Sequence, residues 1–247
     1  MTEIVPGIFQ LSGWWDQADL GSNVYLVAAG DGLTLIDAGY KGKELLVTRR
    51  VVSLGYSPSL ITTIIITHHH PDHIGGLAKL VEITKARVIA HTADAPYIDG
   101  RLPQPGPSRP GWLHRAVRPL AGLLATRPVK VDIEVADGDE LPLAGGIRIM
   151  HTPGHTPGSI CVFLRERGVV FTGDLLAQRF GIRLPSIPFT VDVDQLKRSI
   201  KRLAGQEFST ACFGHGSALT GDADKRVRSF ARRRALLPGD TAISCPF

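Results

Sequence analysis

The feature that most restricts this chain is a run of β-branched residues, Ile61-Thr62-Thr63-Ile64-Ile65-Ile66, that passes without a break into Thr67-His68-His69-His70-Pro71-Asp72-His73. A run of this kind, bounded by turn residues, reads as a buried strand. A polar cluster set hard against such a strand is where catalytic groups sit, because a rigid element positions them. His68 and His70 are two residues apart in an extended segment, so both face one side. Asp72 and His73 follow a proline, where the chain turns into a helix, and point to a neighbouring position. One segment can therefore serve two metal ions. Imidazole with carboxylate suits zinc, iron or manganese better than calcium.

The surrounding pattern alternates strands and helices. Ile8–Leu11, Asn23–Val27 and Leu33–Ile36 are β-prone, with Gly30-Asp31-Gly32 as a hairpin signal between the last two. Lys43–Leu54 has apolar residues at helical spacing and stops at Gly55. Asp72–Leu80 reads as a helix and Arg87–Ala90 as the next strand. In the second half, Ile147–Met150 leads into a Gly/Pro-rich loop holding His155. Ile160–Leu164 and Val169–Thr172 form a hairpin followed by Gly173-Asp174. Val193–Leu203 is helical, Thr210–Phe213 is a strand ending at Gly214-His215-Gly216, and Asp222–Leu236 is an arginine-rich helix with a solvated face. The order of elements is similar in the two halves. His155, Asp174 and His215 each lie at a strand end beside glycine or in a glycine-rich loop, so their strand exits are expected to converge on one edge of a sheet sandwich.

Between Tyr97 and Pro128 six prolines interrupt the pattern, and Trp112–Leu124 is amphipathic and basic. This stretch is expected to leave the core as a partly helical lid, with Trp112, Leu113 and His114 as pocket residues. A linker, or a surface for a second subunit in a homodimer, are the competing readings. The 247 residues are expected to form one domain, 1–247, with this excursion at 97–128.

Composition narrows the functional classes. Apolar residues at 43% and charged residues at 21% exclude disordered and fibrous chains. The net charge of +5 permits anionic substrates, but no long basic run or aromatic platform points to nucleic acid. Three cysteines are too few and too odd for a disulfide framework and fit a reducing compartment. With no basic-then-apolar leader and no apolar run near the roughly 20 residues of a membrane span, a cytoplasmic location is expected.

These residues resemble the metallo-β-lactamase-fold hydrolase superfamily, in its glyoxalase II and lactonase-like branch. The resemblance rests on Leu35-Ile36-Asp37-Ala38-Gly39, Thr67 to Gly76, Thr152 to Ser159, Phe171 to Asp174 and Gly214-His215-Gly216, all in the family's order. It implies an α/β fold, an αββα sandwich of two mixed β-sheets flanked by helices. It also implies that His68, His70 and His155 bind one divalent metal and Asp72, His73 and His215 a second, with Asp174 bridging. Zinc is the expected metal, iron and manganese being compatible. Asp37 would orient the ligands. The implied chemistry is hydrolysis by a hydroxide bridging the two metals, with Asp72 or Asp174 taking up a proton.

The implied substrate is a small molecule with a carboxylic ester bond, a lactone or thioester. Asp174 stands where the family's β-lactamases generally lack a bridging aspartate, which disfavours β-lactam hydrolysis. The stretch after His215 is short, so the glutathione-binding domain of glyoxalase II is not expected, and Ala177 stands where acyl-homoserine lactonases often carry a tyrosine. A phosphodiesterase or nuclease is the alternative, with an iron-dependent oxidative enzyme behind it. His69 and His151, beside ligands, read as supporting residues.

Overall fold

The structure is a computed structural model, which describes residues 1–12, 21–30, 32–105, 126–234 and 236. Two sheets face each other. The first takes β1 (Thr2–Val5), β2 (Ile8–Ser12), β3 (Val24–Ala29), β4 (Gly32–Ile36), β5 (Ile61–Ile65), β6 (Arg87–His91) and β7 (Ile133–Val135), in that spatial order. β1 to β4 pair antiparallel and β4 to β7 parallel. The second sheet uses β8 (Glu140–Leu141), β9 (Ile147–His151), β10 (Ile160–Leu164), β11 (Val169–Phe171) and, beyond a ribbon of β12 (Ala177–Gln178) and β13 (Ile182–Arg183), β14 (Thr210–Cys212). Its order is β14-β11-β10-β9-β8, with β14 parallel to β11 and the other pairs antiparallel.

Alternation along the strands creates the layers. Tyr25, Val27, Ile36, Ile65 and Ile89 from the first sheet meet Ile149, Ile160, Val162, Leu164 and Phe171 from the second in a buried central core. The opposite faces carry Leu26, Leu35 and Ile64 on one side and Cys161, Phe163, Val170 and Ala211 on the other. Helices cover both. α1 (Glu44–Ser53) supplies Val47 and Val51, and beyond α2 (Pro71–Ile74), α3 (Leu77–Thr84) adds Leu77 and Leu80. After the short α4 (Ala95–Ile98), α5 (Val193–Ala204) and α6 (Ala223–Arg233) cover the second sheet with Leu196, Ile200, Leu203, Val227 and Phe230. The expected αββα sandwich is what forms. Among the described residues no helix is long and apolar enough to cross a membrane.

One expected element is divided. The helix read over Asp72–Leu80 is two, α2 and α3, broken at Gly75-Gly76. A Cβ on Gly75 would stand 2.4 Å from Lys41 N, and one on Gly76 2.5 Å from Ala38 O. The loop after β4 presses into the break, with Ala38 N donating to His73 O at 2.8 Å and Gly76 N to Gly39 O at 3.0 Å. The excursion is pinned at its base, where Val129 N donates to Ile98 O at 3.0 Å. Its expected pocket residues Trp112, Leu113 and His114 lie outside the described residues.

Candidate metal centre

The side chains singled out in the sequence meet at one edge of the sandwich, beyond the ends of β5, β9, β11 and β14. Extended backbone after β5 carries Thr67, His68, His69 and His70. Pro71 then starts α2, and this turn brings Asp72 and His73 back over the strand end. From the second sheet, His155 arrives on the loop after β9, Asp174 after β11 and His215 after β14.

Their ligand atoms gather into three overlapping trios, His68/His70/His155, His68/His73/Asp174 and Asp72/His73/His215, each within 4.8 Å. Asp174 reaches both flanks. Its Oδ2 lies 3.5 Å from His155 Nε2 and 3.2 Å from His215 Nε2, and its Oδ1 lies 3.4 Å from His73 Nε2. Asp72 Oδ2 stands 3.4 Å from His73 Nε2 and 3.2 Å from His215 Nε2. These spacings exceed the about 2.7–2.9 Å of direct charge-assisted hydrogen bonds. They match the separation of about 3.4 Å between two ligands that each sit about 2.1 Å from a tetrahedral cation.

The hydrogen-bond network fixes which nitrogen of each buried imidazole faces the cluster. His73 Nδ1 donates to Asp37 Oδ2 at 2.8 Å. Thr67 Oγ1 gives its proton to Asp37 Oδ2 at 2.8 Å and so accepts from His68 Nδ1 at 3.1 Å. Thr190 Oγ1 donates to Ser186 O at 3.0 Å and accepts from His155 Nδ1 at 3.2 Å. In all three rings Nδ1 is anchored and Nε2 points inward. His68 Nε2, His73 Nε2, His155 Nε2 and Asp174 Oδ1 are buried and make no hydrogen bond among the described residues. Buried polar atoms without partners are costly. Four of them converging with the donor types preferred by zinc fit a metal centre, and anchored imidazoles are the usual support of such ligands.

Charge divides the cluster. Burial, aided by His73 and His70, holds His68 well below the ordinary imidazole value. Burial, then His155 and His69, takes His70 down to about 3. These rings are neutral, the state that ligates. On the other flank burial opposes charge but is overridden. Asp174 and Asp72 push His215 up to about 10, and Asp72, Asp37 and Asp174 raise His73 well above its usual value. Asp72 falls to about 2 because His73 and His215 outweigh its burial. Asp174 is likewise held well below the carboxylate range by His215 and His73.

Asp94, Asn23 and Tyr25 support the cluster and escape a sequence reading, whereas His69 and His151 are expected supports. Buried Asp94 accepts from His69 N at 2.9 Å, Thr156 Oγ1 at 2.7 Å and Gly158 N at 2.6 Å, joining the two ligand loops. His69 stacks on Tyr97 with centroids 4.5 Å apart, and its Nδ1 lies 3.0 Å from Asp94 Oδ2. Asn23 Nδ2 donates to Phe213 O at 2.9 Å and Gly216 O at 2.7 Å, and Tyr25 OH to Phe213 O at 2.8 Å. Side chains of the first sheet thus hold the His215 loop of the second. His151 Nε2 donates to Pro157 O at 2.8 Å, bracing the loop of His155.

Residues 18–215 match the model of the Metallo-beta-lactamase superfamily, and the chain belongs to that superfamily. Among relatives, it is 28% identical to the probable metallo-hydrolase YflN of Bacillus subtilis, over 81% of this chain and 82% of that one. It is 30% identical to the probable metallo-hydrolase YqjP of the same organism, over 80% and 67%. A metallo-beta-lactamase family protein of Thermus thermophilus, TTHA1429, shares the fold with a TM-score of 0.72 at 23% identity, covering 94% of this chain and 81% of its own.

Proposed function

We propose that this protein is a dinuclear metallo-hydrolase that cleaves a carboxylic ester, a lactone or thioester, in a small molecule. The observation that carries the metal assignment is the convergence of four partnerless buried atoms, on His68, His73, His155 and Asp174, at ligand-to-ligand spacing. Likeness to two proteins named probable metallo-hydrolases supports the reaction class. Asp174, at the position where the family's β-lactamases generally lack a bridging aspartate, supports esters over β-lactams.

In this reading His68, His70 and His155 hold one cation, Asp72, His73 and His215 hold the other, and Asp174 spans both. Bound there, zinc supplies Lewis acidity and a water acidified toward a pKa of about 7. The remaining steps belong to the chain. Buried His68, His73 and His155 close the back of the centre, while Asp72 and His215, each 19% exposed, face solvent. Substrate therefore enters on the side of Asp72 and His215. Asp72 or Asp174 takes up a proton as the ester bond breaks, and of the two Asp72 lies nearer this mouth. Asp37 and Thr190 keep the imidazoles aimed.

Elemental analysis of protein purified without added metal is expected to give about two zinc ions per chain, and chelation to abolish turnover. A panel of a lactone, a thioester, a phosphodiester and a cephalosporin then decides the substrate class. A stoichiometry well below one sinks the dinuclear reading, and preference for the phosphodiester sinks the ester.

A further inference from the structure

The solvent-facing side of the cluster is bordered by residues 177–191, which run from one flank to the other. At one end Gln178 N donates to His215 O at 2.9 Å, and Gln178 bridges Gly216. At the other end Val191 N donates to His155 O at 3.2 Å and Thr190 Oγ1 holds His155 Nδ1. Between them a single-turn helix, Ile187–Phe189, brings the Phe189 ring edge-on to His70, with centroids 6.4 Å apart and planes at 74°.

Phe189 is held in place although it is 36% exposed. Its N donates to Ser186 O at 3.1 Å, Pro188 precedes it, and buried Thr190 follows, bonded to the same Ser186 carbonyl at 3.0 Å. No acidic residue occurs from 177 to 191, and Ile182, Leu184, Ile187 and Val191 share the segment. A fixed, half-open aromatic ring beside a candidate metal ligand is a wall for an apolar substituent of whatever is bound at that metal.

We infer that Phe189 forms an apolar acyl subsite beside His70, so that the substrate is an ester whose hydrocarbon chain lies on this ring while its carbonyl is held at the cluster. The subsite rests on the ester reading for its chemistry, but chain recognition is measurable without turnover. Because Phe189 lies outside the buried core, Phe189→Ala leaves the fold and the zinc content unchanged.

The test uses zinc-loaded protein with p-nitrophenyl acetate and p-nitrophenyl octanoate. Burying one or two methylenes on the ring predicts that Phe189→Ala lowers kcat/KM on octanoate about tenfold and on acetate less than about twofold. Phe180→Ala removes an aromatic ring that is 94% exposed, at the turn between β12 and β13, and is expected to leave the ratio unchanged. An equal loss on both esters in Phe189→Ala, or the same selective loss in Phe180→Ala, overturns the assignment. Calorimetric titration with sodium octanoate and sodium acetate separates this from the ester reading. The wild type is expected to bind octanoate about tenfold tighter than acetate, and Phe189→Ala to lose that margin, even if no ester is hydrolysed. Equal binding of the two acids by the wild type overturns the subsite.

Discussion

Asp37→Asn removes the acceptor of His73 without touching any candidate ligand, while Thr67 Oγ1, which supports His68, keeps an acceptor in the oxygen at the Oδ1 position, 3.0 Å away. Asp37 sits at φ 62°, a left-handed conformation that asparagine adopts readily, so the backbone is retained. The carboxylate accepts from Thr67 N at 2.8 Å through Oδ1 and from His73 Nδ1 at 2.8 Å through Oδ2. Asparagine can keep its oxygen toward Thr67 N, which turns its NH2 group toward His73. Nδ1 must then accept, and the ring proton moves to Nε2, the atom that faces Asp72 and Asp174. A charge-assisted hydrogen bond is worth about 1.5–3 kcal/mol. At about 1.4 kcal/mol per tenfold change, its loss weakens the cation held by Asp72, His73 and His215 by about 10- to 100-fold. The assay is competition for zinc against a chromophoric chelator, with the melting temperature of the zinc-free variant as the check on folding. A folded variant that keeps both zinc affinities within about threefold of the wild type would refute the orienting role.

Asp174→Ala is expected to lose one equivalent of metal and most of kcat while keeping its circular dichroism spectrum; two bound metals with near-normal turnover would reject the shared carboxylate. Gly214→Ala places a Cβ 2.1 Å from Asp174 Oδ1 and should release metal, read by elemental analysis, although no ligand has changed. Zinc binding should release protons. His215, raised to about 10, and His73, raised well above the ordinary imidazole value, are both charged near neutral pH in the metal-free chain, so zinc must displace their protons and its affinity falls as pH falls. Titration at pH 7.5 in two buffers of different ionisation enthalpy is expected to give at least about two protons released per chain, the acidified water adding to those of the two rings, and no release would contradict the charged state of both rings.

The residues of the candidate metal centre were legible because each announces itself locally. Four are packed into one motif after a buried strand, and His155, Asp174 and His215 stand at strand ends among glycines. Their supports announce nothing. Asn23 and Tyr25 read as ordinary strand residues, and their role depends on carbonyls 188 to 193 positions away. Asp94, in Thr92-Ala93-Asp94-Ala95-Pro96, resembles a helix start, yet its side chain is spent on Thr156 and Gly158, 62 and 64 positions on. The break at Gly75-Gly76 was hidden for the same reason. Isolated glycines are tolerated in a helical pattern, and what forces the break here is the backbone of residues 38–41. Local pattern reveals what a segment presents, whereas packing between distant segments decides how it is held.

The cluster draws on both sheets: His68, His70, Asp72 and His73 follow a strand of the first, and His155, Asp174 and His215 follow strands of the second. A bound cation is therefore a cross-link over the sandwich, closed only when the two halves are docked. It acts as a removable staple in a chain whose described cysteines, Cys161 and Cys212, are both free. At a free zinc concentration 1,000 times Kd, each such staple adds about 4 kcal/mol against unfolding. On the proposed dinuclear reading, metal supply then governs how long the protein survives as well as whether it can act.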